Sequence, residues 1–306
     1  MDRLQSLEVF VAVAEAQSFA KGARALGISA PSATRGVNAL EERLGARLFT
    51  RTTRAVRLTD IGHAYLEDVR GILEDLTSAN DTVSGATGHP KGMLRLTSPV
   101  EFGRIYVAPM IARYLDRHPD VTASVMMVDR VVNILEEGLD IGVRIGPLPS
   151  SGLMAVKVGH VRQVVCGAPA YFEKHGIPQT PSELIHHKIV SATSRTRQEE
   201  WRFGRSREIS AKIVPRLQVT SIAAATTLAA SGWGLTRVLS YQIGPESLSG
   251  SLQIVLEDYE PAPLPIHLVH HEGRRVSAKL RSFLDFARDE LRQSPVLNGT
   301  DHSAAV

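Results

Sequence analysis

Residues 18–45 read SFAKGARALGISAPSATRGVNALEERLG, two short helical patterns on either side of Gly27. Ser18 is a good side-chain N-cap for the first, in which Phe19, Ala23 and Leu26 share a face. Gly27 ends it, since glycine takes the left-handed backbone of a helix C-terminus without strain. Ser29 caps the second pattern and Pro31 fits its first turn. Ala33, Val37, Leu40 and Leu44 then form an apolar stripe that Gly45 closes. Helix, tight glycine turn, helix is the pattern of a helix-turn-helix. Pro31, Ser32, Arg35 and Asn38 fall off the stripe and face outward. Two readings of Arg35 follow: a solvated residue paired with Glu41 or Glu42, or an arginine held out toward a ligand.

Upstream, Leu7, Phe10, Val11 and Ala14 make one apolar stripe of a further helix. Downstream, RLFTRTTRAVRL alternates and turns near Thr53, Arg54 and Ala55, as a two-stranded wing would. A winged helix-turn-helix over residues 1–58 is therefore expected. Thr59 and Asp60 cap a proline-free helical pattern to about Val83, with Leu66, Val69, Leu73 and Leu76 as an apolar seam. Such a helix is roughly 37 Å long at 1.5 Å per residue and needs a partner to cover the seam. A second copy of the chain is the economical partner, which makes those four the predicted dimerisation residues. With the linker SGATGHPKG, this linker helix and hinge spans residues 59–90.

From Met93 the texture changes. MLRLTSP, VTASVMMVD and LDIGVRIG read as strands, with IYVAPMIARYLDRH and VVNILEEG as helices between them. A second set follows: the strands QVVCGA and RLQVTS, the helix IAAATTLAAS, the strands LQIVLE and IHLVHH, and the helix SAKLRSFLDFARDELR. The expectation is two α/β lobes with largely parallel sheets and a ligand cleft between them.

At 306 residues the chain calls for more than one domain, and 43% hydrophobic and 22% charged residues are ordinary for a globular protein. The single cysteine, Cys166, excludes an intrachain disulfide and any multi-cysteine metal site; in its apolar strand it reads as an inert buried thiol. The N-terminus has acidic residues inside its apolar run and no cleavage signature, and no window holds 18 uninterrupted apolar residues. A cytoplasmic protein that does not enter a membrane is expected. No H-E-x-x-H, G-x-S-x-G, Walker loop or dinucleotide fingerprint occurs, and the adjacent pairs His186-His187 and His270-His271 suit a shared metal poorly. Catalytic, metal and cofactor roles are accordingly assigned to no residue. A solute-binding protein would also have two lobes, but the lack of a signal peptide and the basic N-terminal unit argue against it.

The net charge of +3 is mild, so a basic surface must come from clustering. Between residues 18 and 58, Lys21, Arg24, Arg35, Arg43, Arg47, Arg51, Arg54 and Arg57 are opposed only by Glu41 and Glu42. That excess is the footprint of phosphate binding, unless Arg43 and Arg47 pair with the glutamates.

The order and spacing of Ser18-Phe19, Leu26, Ser29, Leu40-Glu41, Leu44-Gly45, Leu48-Phe49, Arg51, Arg54, Leu58-Thr59 and Gly62 resemble the N-terminal domain of LysR-type transcriptional regulators. DRVVNILEEGLDIGVRIGPL resembles the first lobe of that family's effector domain. CGAPAYFEKHGIPQTPSEL resembles the crossover to the second, and SGWGLTRVLSYQI with GSLQIVL the second lobe itself. The similarity covers about residues 2–291. The chain departs from the family at Gly22, where paired alanines are frequent, at Ala30, where glutamine is common, and at Thr34, where serine is frequent. These changes bear on which DNA sequence is read and leave the fold untouched.

The resemblance implies an effector-modulated, sequence-specific DNA-binding regulator. Pro31, Ser32, Thr34, Arg35 and Asn38 would read bases, while Ser18, Lys21, Ser29, Arg51, Thr52, Thr53 and Arg54 would hold the backbone. A periplasmic-binding-protein-like effector domain would span residues 91–293, with lobe I at 91–161 and 268–293, lobe II at 162–267, and a flexible tail at 294–306. An organic acid or aromatic metabolite would sit between the lobes, near Thr97, Ser98, Pro99, Val100, Asp129, Arg144, Thr220, Ser221, Trp233 and Arg237. Arg144 is a carboxylate clamp by chemistry, or else an ion-pair partner of Asp129 or Asp140. The partners implied are double-stranded DNA, the effector, RNA polymerase, and further copies of the chain in a homodimer or homotetramer.

Overall fold

Asp2 starts the first helix: its carboxylate accepts the Gln5 N–H, and the Gln5 side chain accepts the Asp2 N–H in return. Helix α1 (Arg3–Ala16) is followed by α2 (Phe19–Ala25) and α3 (Ala30–Leu44). The computed structural model describes residues 1–51, 56–83, 89–149, 152–192, 199–271 and 276–298. It falls into two units, Met1–Gly88 and His89–Val306.

In the first unit Leu7, Val9, Phe10, Val13, Ala23, Ala33, Val37 and Leu40 close a three-helix core against Leu48 and Phe49. Leu26 and Leu44, expected inside, are 40% and 41% exposed. Both sit at helix ends, beyond the reach of the packed faces. Gly22 explains itself here: a Cβ would stand 2.8 Å from the Val13 backbone, so α1 and α2 approach too closely for alanine. The wing strands β1 (Phe49–Arg51) and β2 (Val56–Leu58) pair antiparallel, Thr50 opposite Arg57. Thr59 caps α4 (Asp60–Val83), its hydroxyl accepting the Gly62 N–H at 3.0 Å. The first half of α4 packs back on α1: Phe10 and Tyr65 rings are 5.5 Å apart, and Arg70 pairs with Glu15 at 2.9 Å.

The second unit holds two five-stranded sheets. Lobe I contains β3 (Gly92–Ser98), α5 (Val100–Phe102), a π-helical turn (Gly103–Val107), α6 (Ala108–Arg117), β4 (Val121–Met127), β5 (Ile141–Ile145) and β6 (Leu153–Val161). Lobe II contains β7 (Gln163–Gly167), α7 (Pro169–His175), β8 (Ile189–Ser191), β9 (Glu199–Phe203), β10 (Ile209–Ile213), β11 (Leu217–Gln218), α8 (Ile222–Ala230), β12 (Leu235–Leu239), α9 (Gly244–Leu248) and β13 (Gln253–Val255). The chain returns to lobe I as β14 (Leu264–His271), α10 (Ala278–Arg292) and α11 (Pro295–Asn298). Sheet orders are β4-β3-β5-β14-β6 and β11-β8-β12-β7-β13. Phe102 and Tyr106 of lobe I pack on Tyr241 of lobe II, at 5.4 and 6.0 Å.

Several expectations need correction. The sheets are mixed: β3 runs parallel to β4 and β5, but β14 is antiparallel to β5 and β6, and β7 is antiparallel to β12 and β13. VVNILEEG is not a helix but a single turn. The Asn133 side chain accepts the Leu135 N–H, and Gly138 in the left-handed region halts propagation. The return to lobe I begins with the whole of β14, at Leu264 and ahead of residue 268. The start of the supposed loose tail is anchored: Leu297 is fully buried in the lobe I core, and the Asn298 amide donates to Leu291 O at 2.8 Å.

Candidate nucleic-acid interface and effector pocket

On α3 the buried side is Ala33, Gly36, Val37 and Leu40. Pro31, Arg35 and Asn38 are exposed and Ser32 half-buried, so the outward row is as the helical spacing requires. Ser29 caps the helix by accepting the Ser32 N–H, and the two hydroxyls lie 2.8 Å apart. Arg35 donates to the Ser32 hydroxyl at 3.1 Å and forms no ion pair among the described residues. Its expected acidic partner is committed elsewhere: Glu41 accepts the Leu48 and Phe49 N–H groups at 2.8 and 3.0 Å, tying α3 to the wing. Thr34 turns inward and donates to Ala30 O. Ser18 caps α2 through the Lys21 N–H, and Lys21 and Arg24 are exposed. Arg43 and Arg47 are likewise exposed, with no ion pair among the described residues. The Arg51 backbone pairs with Val56; Thr52, Thr53 and Arg54 lie outside the described residues.

The seam of α4 divides. Leu66 and Val69 are 6% and 0% exposed inside the first unit's core, and Leu73 packs against it. Leu66 and Val69 are thus taken up by the unit's own core and not available to a second chain, which corrects the dimerisation set, while Leu73 is half-buried. Leu76 stays 38% exposed, and Ile61 and Ile72 are 60% and 54% exposed.

In the second unit a cavity of about 300 Å³ opens in lobe II, lined by Gln163, Ser191, Trp201, Arg202, Arg207 and Arg237 among others. Arg237 runs over the rings of Trp201 and Phe203, at 5.5 and 4.5 Å, and donates to Arg202 O. Burial pushes its guanidinium down to about 10, and the nearby Arg207 charge adds to the shift. Of the expected effector residues, Arg237 alone lines this cavity.

The others are placed differently. Thr97 and Ser98 are each 1% exposed; Ser98 donates to Pro99 O, and its hydroxyl lies 2.6 Å from where a Gly103 Cβ would be. The Val100 N–H donates to Asp129 at 3.0 Å and is not open to a ligand. Arg144 donates to Val132 O and pairs with neither Asp129 nor Asp140 among the described residues; burial lowers its pKa. Asp140 instead accepts the Arg95 N–H and faces Lys279 at 3.6 Å. Ser221 caps α8 beside exposed Thr220, and Trp233 lies under the Lys188 ammonium at 6.0 Å. Cys166 is fully buried, which pushes its thiol up to about 12.

Residues 4–63 match the bacterial regulatory helix-turn-helix protein domain of the lysR family, and residues 87–292 match the LysR substrate binding domain. The chain belongs to the LysR family of transcriptional regulators. An uncharacterised HTH-type transcriptional regulator of Haemophilus influenzae is 32% identical over 281 residues, covering 92% of this chain and 98% of that one. CrgA of Neisseria meningitidis is 30% identical over 288 residues, 94% and 96% of the two chains. The solved structure of that LysR-type regulator aligns over 95% of this chain and 99% of its own, with a TM-score of 0.61 at 29% identity. An OxyR mutant of Corynebacterium glutamicum shares the fold at a TM-score of 0.62 and 19% identity. As a LysR-type regulator, the chain joins a DNA-binding helix-turn-helix to an effector-binding domain that modulates transcription.

In this LysR-type regulator the sequence reading did not find Gln163, Ser191, Arg202 or Arg207. They converge only when β7, β8, β12 and the β9–β10 hairpin assemble. The one local signal is Trp201-Arg202 and Arg207 on either side of a short polar turn.

Proposed function

We propose that this regulator reads its operator with Pro31, Ser32, Arg35 and Asn38, with Thr34 serving the scaffold. The observation that carries the reading is Arg35, exposed at the outer face of α3 and propped by Ser32, with no ion pair among the described residues. An arginine so presented donates two hydrogen bonds to guanine N7 and O6, while Pro31 meets a thymine methyl. Lys21, the capped ends of α2 and α3, and the wing from Arg51 to Arg54 hold phosphates.

Two chains pair along the exposed ridge of α4. Ile61 and Ile72 lie about three helical turns apart on one face, and Leu76 continues it. Pairing sets two half-sites about one turn of DNA apart, in a homodimer or homotetramer. An effector bound between the lobes shifts the population of lobe arrangements and so the spacing of the reading heads and their contact with RNA polymerase. The protein acts in the cytoplasm and catalyses no reaction; no helix among the described residues is long and apolar enough to cross a membrane.

Footprinting the purified protein on its own upstream DNA tests the reading. Two protected, partly palindromic half-sites are expected. Protection spread evenly along the probe, or none, contradicts it.

A further inference from the structure

The lobe II cavity carries a charge imbalance. Among the described residues its wall presents Arg202, Arg207 and Arg237 against one carboxylate, Glu200. That carboxylate is already engaged, by Arg202 at 3.0 Å and by the Ser210 hydroxyl. Glu260, the other acid acting on Arg237, pairs with Arg162 at 3.3 Å. Neither Arg207 nor Arg237 forms an ion pair among the described residues, and the buried Arg237 Nε has no hydrogen-bond partner.

Arg207 is held there at a cost. It is a non-glycine residue in the left-handed region, φ 61°, at the turn between β9 and β10. The turn is built to keep it so: the Arg207 N–H donates to Gly204 O at 2.8 Å, and Glu208 accepts the Ser206 N–H at 2.9 Å. Trp201 is only 7% exposed and its face lies under Arg237, so the cavity offers no open ring for stacking. Its volume, about 300 Å³, is at the small end for a ligand site. It lies beside Ser191 at the carboxyl end of β8, where open α/β sheets take ligands.

We propose that this cavity binds a compact, polar oxyanion with two or more negative charges, a polycarboxylate or a phosphate, clamped by Arg207 and Arg237. The inference rests on the effector-binding reading of the C-terminal unit. It goes further in moving the anchor from the Ser98 loop to lobe II and in excluding flat aromatic monoacids. Arg237 is half-buried and Arg207 exposed at the cavity's rim, and the repulsion of Arg237 by Arg207 is relieved by one multiply charged anion between them.

Calorimetric titration of the full-length protein with citrate, inorganic pyrophosphate, benzoate and glucose tests it. Citrate or pyrophosphate should bind at least about tenfold tighter than benzoate, and whichever binds separates carboxylate from phosphate recognition. Arg207→Gln should weaken that binding by about 10- to 100-fold, and Arg207→Lys should restore part of it by returning charge without the planar fork. Arg207→Gly should bind as weakly as the glutamine variant while keeping or raising the thermal midpoint, because glycine adopts this φ freely. A residue with a merely structural role would not separate the two readouts. Tightest binding of benzoate or glucose, unmoved by Arg207→Gln, would leave an effector domain without this anion site. No binding of citrate or pyrophosphate sinks the proposal outright.

Discussion

Two arginines in the two units are held in opposite ways. Arg35 stands at the surface of α3 with a single serine hydroxyl for support. Arg237 lies in β12 over two aromatic rings, donating to a backbone carbonyl. The first keeps its hydration and meets a long polyanion whose field reaches it from a distance. The second is half-buried and has shed part of its hydration, so a small anion has less water to displace. The same contrast runs along α4, where Leu66 is buried in the fold and Ile72 faces out. Exposed groups are left for partners, and buried ones carry the fold even where they line a site.

The largest effect should come from the buried side of that contrast. Leu66→Ala should lower the stability of the first unit by about 2–5 kcal/mol in denaturant unfolding. Ile72→Asp, six residues along the helix and on another face, should leave unfolding unchanged and instead drive sedimentation toward monomer; the reverse pattern would invert the assignment of the two faces. Next, Arg237→Ala should destabilise the second unit by about 2–3 kcal/mol, through lost ring and carbonyl contacts. Arg35→Ala should stay within about 0.5 kcal/mol of the parent. Equal effects from the two would erase the comparison.

Gly22→Ala should follow, at about 1–3 kcal/mol, because a methyl group must be forced between α1 and α2. An unchanged melting temperature would mean that the two helices part without cost. The smallest effect is with pH. Burial, aided by the His175 charge, holds the His187 imidazole below the ordinary histidine value. The unfolded chain therefore takes up that proton first: the stabilisation is complete above about pH 6.5 and is lost as pH falls below it. His187→Gln should flatten that acid limb in thermal melts.

The helix-turn-helix was legible because its information is local. Caps at Ser18 and Ser29, the glycine at Gly27 and a 3.6-residue stripe each act within one or two turns, and α2 and α3 run as those signals indicate. The periodicity of α4 was equally plain, but period does not tell which apolar face meets the chain's own core. Tyr65 against Phe10 decides that, across a separation no local pattern spans. The effector pocket was least legible. Its walls come from β7, β8, β12 and a hairpin of short, charged strands, EEWRF and ISAKI, whose composition does not mark them as strands. Resemblance pointed to the Ser98 loop, where the structure turns the hydroxyl inward and occupies the Val100 amide with Asp129.

The central claim is that Arg35 is held out to read a base. Its direct test is the ratio of affinities for the footprinted operator and for unrelated DNA, measured by anisotropy at fixed salt for the parent and Arg35→Ala. Loss of about 1–3 kcal/mol on the operator, with affinity for unrelated DNA nearly unchanged, is the predicted result. An equal loss on both DNAs, or none on either, would contradict it and leave Arg35 a phosphate contact or a solvated side chain.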